Sequence, residues 1–266
     1  MKAHLANIFP LDDDKRQYWE AAWDAYVTWN RLYNQLYRLL ETQYRRAIME
    51  LPDLADQREQ AGNSLAVHVV TAYLRGLEDW TYEGSPLNLF YQNARSEFRK
   101  HATWFLWRVL EEEAPSKDDE LWHRLRTLWK IRVYTAAESD DPGAFGEELS
   151  EFALWLGSVP EGLDTLEPLV RPIIPHLRIG TEGRELIDYL VKEAQDHPAL
   201  AAELLLEMFT KPVDRLVLIG ARDAIRQVLS TAMSSGDRRA RSRATTLINL
   251  LGERGDYRYR DLLNSS

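Results

Sequence analysis

Between Thr181 and Leu251 the apolar positions recur at three- and four-residue spacing, stop at a short polar or Pro/Gly break, and start again. Leu186, Ile187, Leu190, Val191 and Ala194 fall on one side of a helix predicted over Glu182–Gln195. Asp196-His197-Pro198 interrupts it, and Pro198 suits the first turn of the next helix because it has no N–H to leave unsatisfied. Leu200, Leu204, Leu205, Met208 and Phe209 form a second stripe, ended by Lys211-Pro212. A third carries Leu216, Ile219, Ile225, Val228 and Leu229 up to Ser234-Ser235-Gly236, with Gly220 as a bend. After Asp237 a fourth turns Ala244, Leu247, Ile248 and Leu251 inward. No helix of this kind buries its stripe alone. The pattern therefore predicts an all-α fold of stacked antiparallel helical hairpins, a HEAT-like short solenoid.

The front of the chain has the same spacing with larger side chains. One helix is predicted through Tyr18, Trp19, Ala22, Trp23, Tyr26 and Val27, and another over Leu32–Met49, with a turn near Asn30. A third runs over Leu65–Trp80, and a long one follows Ser85-Pro86 up to Glu113. Ser85 is the expected N-cap there and Pro86 the first helical residue. Ser116 to Asp119 resembles a capping box with Asp in place of Glu, ahead of a helix carrying Leu121, Leu125, Leu128, Trp129, Arg132 and Val133. Pro142 starts a further helix through Leu156. Pro168, Pro172 and Pro175 make 163–177 a kinked element. That segment sets the expected boundary between an aromatic-rich region, 1–160, and a helical-repeat region with a basic end, 161–266. The tail, with Tyr257 and Tyr259, is expected to lie back over the last helices or to belong with a following element.

Charge and composition narrow the functional classes. The formal charge of −9 argues against a surface that meets phosphate all over. From Gly236 to Ser266, however, seven arginines face four acidic residues, a local +3 that leaves −12 for the rest. The absence of cysteine removes disulfides, thiol catalysis and cysteine metal sites. No apolar run reaches membrane-spanning length and no signal segment follows Met1, so a cytoplasmic protein is expected.

Local catalytic chemistry is sparse. His4, His68, His101, His123, His176 and His197 form no HExxH or other ligand-spaced group, and His68, beside an apolar stripe, reads as a hydrogen-bonded core histidine. Glu111-Glu112-Glu113 points in different directions around a helix and reads as a solvated end, while Asp12-Asp13-Asp14 and Asp118-Asp119-Glu120 suit helix starts. There is no phosphate-binding GxxxxGK[ST] loop and no G-x-S-x-G elbow. No catalytic, metal or cofactor residue is assigned, and no cofactor is implied. Arg238, Arg239, Arg241 and Arg243, then Arg254, Arg258 and Arg260, are the basic concentration, and Tyr257 and Tyr259 have faces that could stack on bases. Asp237, Glu253, Asp256 and Asp261 interleave with them, which favours an internally salt-bridged surface over a protein contact, and a protein contact over nucleic acid.

Pro10-Leu11 through Tyr44-Arg45-Arg46-Ala47-Ile48, with Ala102-Thr103-Trp104-Phe105-Leu106-Trp107 and Leu121-Trp122-His123-Arg124-Leu125-Arg126, resembles the C-terminal helical regions of very large bacterial multidomain proteins. In that group an N-terminal effector or nucleotide-handling domain, sometimes sirtuin-like, is coupled to a long helical array, and several members are linked to anti-phage defence. The resemblance implies a segment of a larger polypeptide, with catalytic residues outside these positions. The expectation is a non-enzymatic scaffold or sensor segment that meets a protein partner or other domains of the same polypeptide. Its candidate contacts are Trp29, Tyr33, Arg238, Arg239, Arg241, Arg243, Arg258 and Tyr259. The rival readings are an all-helical enzyme or small-ligand domain with a site near Trp23, Tyr26, Tyr73 and His101, and a nucleic-acid binder working through the arginine-rich end.

Overall fold

The computed structural model describes Leu5 and residues 7–10, 12–177, 181–210 and 220–264. Among these residues the regular structure is helical throughout, with thirteen α-helices and no strand. No helix among them is long and apolar enough to cross a membrane. The chain forms two compact units, Met1–Leu106 and Trp107–Ser266. The units part inside a helix and not at the proline-rich segment after residue 160. Those prolines do interrupt the chain, but within the second unit, where a short helix over Leu163–Val170 gives way to a 3-10 segment over Arg171–His176.

The first unit contains α1 (Arg16–Trp29), α2 (Asn34–Leu39), α3 (Glu41–Glu50), α4 (Glu59–Leu74), α5 (Pro86–Asn93) and the start of α6 (Ser96–Glu113). Helix α1 packs on α4, and α3 packs on α5 and α4. The predicted helix over Leu32–Met49 is divided at Leu40, which leaves helical geometry (φ −101°, ψ 11°). The predicted helix from Pro86 to Glu113 is likewise divided, at an extended Ala94 (ψ 140°). There Asn93 Nδ2 donates to the Leu89 carbonyl at 2.8 Å, and the buried Arg99 donates to the Ala94 carbonyl. The Arg99 contact satisfies the Ala94 carbonyl, an acceptor that a continuous helix would have satisfied internally. The start of α5 matches the expected cap: Ser85 Oγ accepts from Asn88 N at 3.1 Å, with Pro86 first in the helix. Helix α4 ends at Gly76 (φ 68°), whose N–H donates to the Tyr73 carbonyl while Leu77 N donates to Ala72, closing the helix in a left-handed turn.

The second unit contains α7 (Glu120–Ala137), α8 (Gly146–Trp155), α9 (Leu163–Val170), α10 (Thr181–Glu193), α11 (Pro198–Thr210), α12 (Arg222–Ser234) and α13 (Arg238–Glu253). Helix α7 starts after the Ser116–Asp119 box, not within it, because the Asp119 carboxylate accepts from Ser116 N at 2.7 Å and closes a turn ahead of the helix. Helix α10 touches α11 and α12, α11 touches α12 and α13, and α12 touches α13. Leu186, Ile187, Leu190, Leu204, Leu205, Phe209, Ile225, Val228, Leu229, Ala244, Leu247, Ile248 and Leu251 are all buried, as the stripes predict. Lys211-Pro212, Leu216 and Ile219 lie outside the described residues. Arg132 and Glu148, on α7 and α8, form a fully buried ion pair, with the Arg132 guanidinium 5.2 Å from the Phe145 ring.

Candidate interaction surface

The aromatic cluster at the front of the chain divides into an inner and an outer set. On the inner side of α1, Trp19 and Trp23 stack at 5.9 Å with their planes 4° apart, and Trp23 meets Tyr44 edge-on at 4.9 Å. The polar atoms of this core are paired over long sequence distances. Trp19 Nε1 donates to Gln43 Oε1 at 2.5 Å, and Gln43 Nε2 donates to the Phe9 carbonyl at 3.1 Å.

A second chain of bonds runs through His68, which is buried, as expected of a core histidine. Its Nε2 lies 2.8 Å from the Asn30 carbonyl, which can only accept, so Nε2 carries the proton. Nδ1 is then the acceptor, and the Tyr44 hydroxyl, 2.7 Å away, donates to it. Tyr44 is left to accept from the Tyr26 hydroxyl at 3.2 Å. The proton order is therefore fixed from Tyr26 to Asn30. Burial lowers the His68 pKa and raises those of Tyr44 and Tyr26, so the chain is neutral near pH 7. Nearby, burial also raises the Glu78 carboxyl and the Tyr37 hydroxyl; the two are neighbours but do not form a hydrogen bond of ordinary geometry.

The enzyme-like reading placed a pocket near Trp23, Tyr26, Tyr73 and His101. Trp23, Tyr26 and Tyr73 are buried in packing, and His101 is half-buried against Trp104 at 5.4 Å. The space beside Trp23, Leu54, Arg58 and Gly62 has room for one water at most. Among the described residues no three His, Asp or Glu side chains are grouped as metal ligands.

The outer side of α1 is different. Tyr18, Ala21, Ala25 and Trp29 share an arc of about 80° at 3.6 residues per turn, and all four are exposed. Tyr18 is 76% exposed, Trp29 81% and Tyr33, just past the helix, 61%. The inner stripe of Trp19, Trp23, Tyr26 and Val27 occupies the other side of the same helix. One flank between the two stripes is charged and internally paired. Arg58 grips Asp24 through two bonds of 2.7 and 2.9 Å, and Arg16 holds Glu20 at 2.9 Å. Trp29 and Tyr33 are thus both exposed to solvent. Tyr18, Ala21 and Ala25 join them, although the sequence reading put Tyr18 on the packed face and did not single out the two alanines. The signal was present: an apolar set at 18, 21, 25 and 29 beside one at 19, 23, 26 and 27 makes a helix apolar on two sides.

The arginine-rich end of the second unit is largely engaged with its own neighbours. Arg239 binds Glu203 through Nε at 3.1 Å and a terminal nitrogen at 2.5 Å, and Arg243 Nε lies 3.5 Å from the same carboxylate. Arg171 reaches Glu203 as well, at 3.1 Å, and also Glu207 and Glu167. Burial alone would raise the Glu203 carboxyl; hydrogen bonds from Arg239 and Arg171 hold it below the usual range instead. Arg241 donates to the Gly236 carbonyl at 3.1 Å, and Arg258 is paired with Asp256. Arg238 is exposed and forms no ion pair among the described residues.

The start of α13 does not offer free N–H groups to a phosphate, because Asp237 Oδ1 already accepts from Arg239 N at 2.7 Å and Ala240 N at 3.4 Å. Tyr259 corrects the expectation outright. It is 0% exposed, with the guanidinium groups of Arg226 and Arg258 at 5.8 and 5.9 Å from its ring. The tail folds back over α12 and α13 through a 3-10 turn at Arg260–Asn264, turning Tyr259 inward and leaving Tyr257 outside.

No protein-family model matches the sequence, and no curated protein or solved structure matches it.

Proposed function

We propose that this chain is a non-enzymatic helical interaction module that binds another protein through the outer face of α1. The observation that carries the reading is the exposure of Tyr18 and Trp29 on one apolar stripe, joined by Ala21 and Ala25. Single exposed apolar residues are ordinary, but two large rings and two alanines aligned over about 16 Å of helix make a contiguous patch. Trp and Tyr are also the side chains that most often dominate binding energy at interfaces. Trp19, Tyr26, Gln43, Tyr44 and His68 in the core beneath have their polar atoms engaged with one another and with the backbone, which supports a scaffold rather than a reaction centre. We read α10 to α13 as a short stack of helical hairpins that completes the scaffold. By its resemblance to the helical regions of large bacterial proteins, the module serves as the sensing or assembly part of a larger defence system.

The test is a photo-crosslinking amino acid placed at Ala25 in the source organism, with Asn249 on α13 as the control position. The expected result is a discrete protein adduct from Ala25, lost when Trp29→Ala is added, and none from Asn249. No adduct from Ala25 would overturn the proposal.

A further inference from the structure

We infer that a second copy of the chain occupies this face, with its α1 laid antiparallel across the first. The inference rests on reading α1 as an interaction surface, and it names the occupant. The outer stripe runs ring, alanine, alanine, ring, so it has nearly the same order from either end. One antiparallel register, centred close to Trp23, sets Ala21 opposite Ala25 of the second copy. The same register brings Tyr18 opposite Trp29 to within one residue. A two-fold interface requires such self-complementarity. Alanines at its centre permit a close helix approach, and the two rings of each copy then flank that contact.

Charge selects the same arrangement. Asp14, just ahead of α1, and Arg31, just after it, are both exposed, and neither forms an ion pair among the described residues. In the antiparallel register Arg31 falls opposite residue 15, where Lys15 is held by Asp12 at 3.1 Å and Arg16 by Glu20 at 2.9 Å, so the unpaired charge it meets within one residue at each end is Asp14. A parallel arrangement would set Asp14 against Asp14 and Arg31 against Arg31, which like charge disfavours. The area is adequate for a reversible dimer. A fully buried aromatic side chain covers about 150–250 Å². At their observed exposures Tyr18, Trp29 and Tyr33 together offer roughly 400–500 Å² per copy, over half of the ~800 Å² per partner in a typical specific interface.

The chain has no cysteine, so introduced thiols report without background. The full chain is first followed by sedimentation velocity from micromolar to sub-millimolar concentration, beside Ala25→Glu, a change at an exposed position that leaves the core intact. Ala21→Cys and Ala25→Cys chains are then oxidised separately and as a mixture. In the antiparallel register each cysteine lies about 8–9 Å from its equivalent in the second copy, beyond the ~7 Å limit for a disulfide, whereas 21 and 25 oppose one another. The expected result is a concentration-dependent dimer, abolished by Ala25→Glu, with disulfide formation at least tenfold faster in the mixture than in either chain alone. A wild-type chain that stays monomeric throughout overturns the inference, as does self-crosslinking of either chain as fast as the mixture. If the purified chain is monomeric while Ala25 in the organism crosslinks to a different protein, the second copy is refuted and the interaction surface stands. Absence of both dimer and adduct refutes both.

Discussion

Replacing Arg132 with methionine isolates the strongest electrostatic commitment in the second unit. Arg132 on α7 is 2% exposed and Glu148 on α8 is 0% exposed. Its Nε and a terminal nitrogen meet the two Glu148 oxygens at 2.5 and 3.0 Å, a two-pronged match that lysine could not make. The Phe145 ring lies 5.2 Å from the guanidinium, so water cannot readily replace the lost partner. Arg132→Met keeps most of the apolar volume but leaves the Glu148 carboxylate in the core without its fork. Breaking one side of a buried pair costs about 3–5 kcal/mol. Replacing both partners with apolar residues of similar size is about neutral, because the desolvation of both charges is removed together. Arg132→Met with Glu148→Leu should therefore recover most of what Arg132→Met loses.

Hydrogen exchange read on peptides from α7 and α8 is the suitable assay, since it reports the opening of this unit directly. A loss of about 3–5 kcal/mol accelerates exchange there by roughly two to three and a half decades, at 1.4 kcal/mol per decade. The double replacement should return exchange to within about tenfold of wild type, giving a coupling of at least ~2 kcal/mol. Acceleration of less than tenfold by Arg132→Met, or a double variant no better than the single, would refute the reasoning.

Four further outcomes follow from the packing and the charge pairs. Gly62 on α4 sits where an added Cβ would lie 2.5 Å from the Phe98 ring and 2.9 Å from Leu54, so Gly62→Ala should destabilise by about 1–3 kcal/mol despite the better helix propensity of alanine. Phe98→Leu in the same chain should restore part of that loss in urea unfolding. Tyr44→Phe leaves His68 Nδ1 without its donor and Tyr26 without its acceptor, and should cost about 1–3 kcal/mol by the same measurement. The His68 pKa is depressed by burial from its ordinary 6.5, so the unfolded chain takes up a proton that the native chain refuses. Stability from this group is present above pH 6.5 and is lost as pH falls through the folded value; His68→Gln should flatten the slope of unfolding free energy between pH 7.5 and 5.5. Glu203→Gln, which releases Arg239 and Arg243 and takes one of three carboxylates from Arg171, should cost no more than about 1 kcal/mol, because the first two arginines are solvent-exposed and Arg171 keeps Glu167 and Glu207, and the loss should shrink as salt is raised.

The sequence by itself determined the features that depend on neighbours within one or two helical turns. The stripes of α10 to α13, the Pro198 start, the Ser85-Pro86 cap and the kinked proline segment were all legible, because spacing and terminal hydrogen bonds are local. The core role of His68 was legible for the same reason, since it stands beside an apolar stripe. Only the tertiary structure decided which of two apolar sides of α1 turns inward. That choice depends on Gln43 and His68, 24 and 42 residues beyond Trp19 and Tyr26, respectively, and on α4, none of which the periodicity of α1 contains. Tertiary contacts also joined Arg239 to Glu203 across 36 residues, turned Tyr259 inward and left Tyr18 outside. A repeat of 3.6 residues shows that a side chain has a direction. Whether that direction leads to core or to water depends on what the rest of the chain has folded against it.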